Sequence, residues 1–173
     1  MTSNKASITR KRDKARLTKV TLKIPFDIGS FEWTPDNVER DAAWCLYVEL
    51  VTRIAVQPLP DNAGLLREAL SSLYTLFEST RQILRDSGPD VGGVMPSVGG
   101  IAIGVLNKGL RPFLSVWHCE LLDWESQRPA NVSQRKHEAQ WGRASELRNE
   151  LQSLRLQLGD YAKVLAEIAG VSQ

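Results

Sequence analysis

The chain has 173 residues, 42% of them hydrophobic, and a formal net charge of +2. That length fits one ordinary domain, and that apolar share fills a core without metal or disulfides. The longest apolar stretch, 98–106, is short, rich in glycine and followed by Lys108 and Arg111, which excludes a membrane span.

The first residues are polar and basic, with no apolar secretory run after Met1, so the sequence predicts a cytoplasmic protein. Cys45 and Cys119 each fall within an apolar helical run and read as reduced core thiols. The charge is uneven. Residues 1–23 carry eight basic side chains against Asp13 alone, a net +7, while the remaining 14 basic and 19 acidic residues leave −5. Residues 1–16 therefore read as a basic, disordered arm before a single domain over 17–173. As an alternative to a solvated tail, Arg10, Lys11, Arg12, Lys14 and Arg16 would grip the phosphates of a nucleic acid.

From Lys19 the pattern has period two, with Val20, Leu22, Ile24 and Phe26 on one face, which predicts a half-buried strand. A turn over 27–30 and a return strand at Phe31–Trp33 complete a hairpin over 17–33. Two strands alone are marginal, so the hairpin must pack on helices or pair with another chain.

Thr34-Pro35-Asp36 opens the first helix with a hydroxyl cap, a proline at its first position and an acid in its first turn. That helix is expected to reach about residue 56, before Pro58 and Pro60, with Trp44 in its interior. A second helix is expected from near Asp61 to Ser87-Gly88-Pro89, its stripe being Leu66, Leu70, Leu73, Phe77 and Leu84. A third begins near Ser97 and carries Leu106, Leu110, Phe113, Trp117, Leu121 and Trp124. Pro112 within it has no N–H and crowds the carbonyl of Lys108, so a kink or restart is expected at Arg111-Pro112. The fourth helix is expected over 131–169. Its residues Leu147, Leu151, Leu154, Leu158, Tyr161, Leu165 and Ile168 alternate in steps of four and three, the pattern of a coiled-coil or bundle seam. Short connections favour antiparallel neighbours. The expected fold is mainly all-α: an up-down four-helix bundle with a kinked third helix, a long fourth helix and a small N-terminal β-hairpin.

The chain has few groups that suggest chemistry. Trp117-His118-Cys119-Glu120 offers adjacent donors that diverge around a helix, so neither a metal nor a cofactor is expected there. His137 lies in a charged stretch and reads as solvent-exposed, and no phosphate loop or nucleophile elbow is present. Arg111 and His118 are seven positions apart, which on a helix sets them within about 20° of one face. This Arg-x6-His arrangement resembles the Arg-x4-6-His signature of the HEPN superfamily. The resemblance implies metal-independent RNA cleavage by a helical domain, usually dimeric, of the kind found in toxin and antiviral defence systems. In that chemistry a histidine moves the proton of a ribose 2′-hydroxyl while an arginine stabilises the phosphorane.

The length and regularity of the last helix point instead to a non-catalytic interaction module. It would self-associate or dock to a partner protein through Leu147, Leu151, Leu154, Leu158, Tyr161 and Leu165, with Trp141 as an exposed anchor. The sequence thus leaves three functional readings, in this order: the interaction module, the HEPN-like ribonuclease, and nucleic-acid binding through the arm.

Overall fold

The computed structural model describes residues 19–53 and 64–171. Expectations for the arm at 1–16 and for the end of the first helix near Pro58 and Pro60 fall outside the described residues. So does the expected start of the second helix near Asp61. The described chain is mostly helical, with one two-stranded antiparallel hairpin.

Strands β1 (Val20–Ile24) and β2 (Gly29–Trp33) pair with Leu22 opposite Phe31 and Ile24 opposite Gly29. Leu22 and Ile24 are buried, and β1 lies on the last long helix, so the hairpin packs on this chain's own helices. The turn places Phe26 and Asp27 at positive φ, +61° and +52°. This is a strained choice for a phenylalanine. Two contacts hold it: the Phe26 ring fills the space a side chain at Gly109 would need, and the Phe26 N–H donates to Gln157 Oε1 at 3.2 Å.

Helix α1 (Asn37–Val51) starts two residues later than the sequence predicts. Asp36, not Thr34, is the cap. Its Oδ1 accepts from the Glu39 N–H at 2.8 Å, and Glu39 Oε2 accepts from the Asp36 N–H at 3.2 Å, a reciprocal capping box. The second Glu39 oxygen accepts from the Val98 N–H at 3.1 Å, which ties α1 to the start of α3 (Val98–Gly104). Helix α2 (Leu66–Ser87) ends at Gly88, whose φ of +77° suits glycine.

The expected third helix is one continuous rod with three textures. These are α3 (Val98–Gly104), a π-helical segment (Val105–Leu110) and α4 (Arg111–Ser126). The π segment explains how a proline is tolerated. Pro112 has no N–H to give to Lys108, and widening the preceding turn lets the Arg111 N–H reach back five residues to the Leu106 carbonyl.

The expected fourth helix is divided. α5 (Gln134–Ala139), capped by Ser133, is separated from α6 (Ala144–Ala169) by a break at Gln140–Arg143. Gly142 lies at that break, and the turn swings Trp141 inward to meet Trp117 edge-on, with ring centroids 6.2 Å apart. Trp141 is therefore 9% exposed, not an exposed anchor. His137 is buried as well. Its ring stacks on Trp124 at 4.5 Å, and its Nε2–H donates to the Trp124 carbonyl at 2.8 Å.

Helix α6 packs most extensively on α1. Leu147, Leu151, Leu154, Leu158, Tyr161 and Leu165 are all buried in this chain's own core. The 4-3 seam is thus met by internal neighbours. Cys45 and Cys119 lie on outward faces and are exposed, as is Trp44, because the stripes of α1 and α4 are narrower than a count of apolar residues suggests. Among the described residues no helix is long and apolar enough to cross a membrane.

Candidate functional site

Helices α2 and α4 lie side by side, with Leu70, Leu73 and Leu114 in the shared core. Beside that contact the two helices leave an open groove of about 570 Å³. α2 supplies Tyr74, Phe77, Glu78, Arg81 and Arg85, which helical spacing sets along one flank. α4 supplies Arg111, Leu114, Ser115 and His118 at steps of three, one and three. The two residues of the Arg-x6-His pair therefore line the same groove.

Leu114 is buried and forms the apolar floor. The half-buried Phe77 ring is a platform shared by two cations. The Arg81 guanidinium lies 5.5 Å from its centroid and that of Arg111 5.7 Å. An arginine over an aromatic face keeps its charge while losing conformational freedom. Arg111 is fixed further by Asn107, whose Oδ1 accepts from its Nε at 3.2 Å and its Nη2 at 3.0 Å. Arg85 donates to Gln82 Oε1 at 2.8 Å. All these partners are neutral. Among the described residues no carboxylate lies within ion-pair distance of Arg81, Arg85 or Arg111. Glu78 alone opposes three positive charges lining the groove.

The contrast with the opposite side of α4 is informative. A cavity of about 540 Å³ between α4 and α6 also holds cations, but Arg143 there is paired with Glu120 at 2.9 Å and Glu146 at 2.8 Å. Its charge is already met. In the α2–α4 groove, by contrast, guanidinium groups converge without counter-ions among the described residues, which is the electrostatic requirement for an anion site.

His118 is half-buried at one end of the groove. Its ring centroid is 5.7 Å from that of Tyr74, tilted by 45°. Its Nε2 lies 3.3 Å from Nη1 of Arg67. A guanidinium can only donate, so Nε2 accepts and the proton of the neutral ring resides on Nδ1. Arg67 is itself held by Glu125, Nε to Oε2 at 2.9 Å, and the other Glu125 oxygen accepts from Gln134 Nε2 at 3.2 Å. A chain of polar contacts thus runs from the first residue of α5 to the imidazole.

Neither a family model nor a curated protein nor a solved structure matches the chain.

Arg111 and His118 are brought together in one groove. Trp141 and the seam residues Leu147, Leu151, Leu154, Leu158, Tyr161 and Leu165 are in the core. The basic residues Arg10, Lys11, Arg12, Lys14 and Arg16 lie outside the described residues. Sequence reasoning missed Arg67, Tyr74, Arg81 and Arg85. The available signal was the i, i+4 pair Arg81/Arg85 on the face that continues Tyr74 and Phe77, but exposed arginines on an amphipathic helix look the same when they only meet water.

Proposed function

We propose that the α2–α4 groove binds the backbone of RNA, and that the chain is a metal-independent ribonuclease of the HEPN type. The observation that carries this reading is the convergence of Arg111 and His118 with two further arginines free of counter-ions around one groove. Arg111 would hold the non-bridging oxygens of the scissile phosphate, with Arg81 and Arg85 on the neighbouring phosphates. His118 would take the proton of a ribose 2′-hydroxyl. The new O2′–P bond then forms as the P–O5′ bond breaks, and the proton is returned to the leaving 5′ oxygen. The bond from Arg67 to Nε2 is long at 3.3 Å, so a ribose hydroxyl can replace it. In this reading α1, α2, the α3–α4 rod and α6 form an up-down four-helix bundle, and the protein is a cytoplasmic component of a toxin or defence system.

The test is cleavage of a labelled RNA containing single-stranded loops, in EDTA, by the native protein and by His118→Ala and Arg111→Ala. Cleavage that falls roughly 10²–10⁴-fold in His118→Ala is the expected result. A folded native protein that leaves the RNA intact at high concentration overturns the enzyme reading.

A second reading keeps the expectation of a protein-interaction module but moves its surface. Trp44, Val48 and Ile83 line an apolar groove of about 390 Å³ between α1 and α2, and Trp44 is 47% exposed. Self-association there would show in light scattering as a concentration-dependent mass that Trp44→Glu abolishes. A mass that never departs from the monomer removes self-association.

A further inference from the structure

Tyr74 is 64% exposed at the mouth of the groove, one helical turn before Phe77 and Glu78. Its neighbour across the groove is the imidazole of His118. No hydrogen bond of its hydroxyl is present among the described residues. A single exposed aromatic is ordinary on a protein surface. This one differs in its setting, because the arginines that lack counter-ions begin two turns further along the same flank. From Tyr74 to Arg85 is eleven residues, roughly 16 Å of helix, the reach of a few nucleotides.

We infer that Tyr74 is a stacking platform for an unpaired base, so that the groove selects single-stranded RNA and sets the nucleotide held by Tyr74 beside His118. This rests on the reading of the groove as an RNA site and adds the substrate class and the residue that chooses it. An aromatic face at one end of a basic groove is the arrangement that grips single strands, because every base offers a π surface while the phosphates run along the cations. A base within a duplex is covered on both faces by its neighbours and cannot reach such a platform without being unstacked. Tyr74 is largely exposed and its ring meets only that of His118 among the described residues, which leaves ring surface for the base.

The experiment uses the full chain and a short 2′-O-methyl oligonucleotide, which keeps bases and phosphates but lacks the 2′-hydroxyl nucleophile. Fluorescence anisotropy would compare the single strand with the same strand annealed to its complement. The variants are Tyr74→Ala, Tyr74→Phe and the double change Arg81→Gln with Arg85→Gln. Tyr74 and both arginines are exposed, so these variants fold. The expected result is that the native chain prefers the single strand and that Tyr74→Ala weakens its binding about tenfold. Tyr74→Phe should bind as the native protein does, and Tyr74→Ala should leave duplex binding unchanged. Equal loss for single strand and duplex, or no loss in Tyr74→Ala, overturns the platform. If Tyr74→Ala changes nothing while the arginine double variant loses binding, the groove stands and only the platform falls. If the arginine double variant binds as well as the native chain, the groove itself is not the RNA site.

Discussion

Two buried glutamates do the same structural work at different places. Glu39 reaches from α1 to the first N–H of α3, and Glu138 reaches from α5 to the first N–H of α2, Leu66 N to Oε2 at 2.9 Å. Each fills an orphan donor at a helix start that its own cap leaves open. Glu138 also accepts from Arg148 at 3.1 Å, yet burial outweighs both partners and pushes its carboxyl above the usual carboxylate range. A group whose pKa is raised by folding stabilises most below its unfolded value, and that contribution is lost as pH rises through the folded value. Glu138→Gln keeps an acceptor for Leu66 and removes the ionisation. Thermal melts of the two proteins should therefore shift in favour of the glutamine variant as pH rises from 4 toward 7, whatever the offset at the acid end. A difference that is constant with pH would show that Glu138 titrates normally. At this scale the sequence was least legible. His137 sits in a charged run and looks solvent-facing, but stacking on Trp124 depends on a fold-back that no local pattern encodes. Arg81 and Arg85 had the same difficulty, since their meaning depends on which helix lies opposite.

Elements were easier to read where periodicity was long. The hairpin, the stop at Gly88 and the seam of α6 all follow from spacing and caps, because each is dictated by residues close in sequence. The misjudged boundaries are those decided across the fold. The break before α6 needs no glycine conformation, since Gly142 is not at positive φ, and it is the edge-on packing of Trp141 on Trp117 that holds the turn inward. The glycines before α3 show the same dependence. A Cβ at Gly99 would sit 1.9 Å from the Gly92 carbonyl oxygen, and one at Gly100 would sit 2.7 Å from the backbone of Val94. These are backbone atoms that cannot rotate away, so the loop is folded directly against the helix. Gly99→Ala should cost about 3 kcal/mol or more, at the upper end of overpacking effects, as read by urea unfolding. Gly93→Ala, where no atom lies within 4 Å, is the control and should change stability far less.

Across the whole molecule the apolar core and the charge are arranged separately. The core gathers α1, α2, the α3–α4 rod and α6 with the inner face of β1, while positive charge is concentrated in the N-terminal residues and in the α2–α4 groove. If both regions contact RNA phosphates, deletion of residues 1–16, which removes six basic residues, should make the logarithm of affinity fall less steeply with the logarithm of salt. An unchanged slope assigns all phosphate contacts to the remaining chain.

The widened turn at Val105–Leu110 also stores chain length. A turn closed over five residues holds one residue more than a turn closed over four, so this rod carries a spare. Loss of a residue from an ordinary helix turns everything beyond it by about 100°, which would swing Leu114, Trp117 and Leu121 out of the core. Loss of the exposed Lys108 would close the segment to a regular α turn and let α3 and α4 keep their phases, at the cost of setting the Pro112 ring against the carbonyl of an ordinary turn. The stretch just before Arg111 is therefore the one part of the rod where chain length can change without re-aiming the groove.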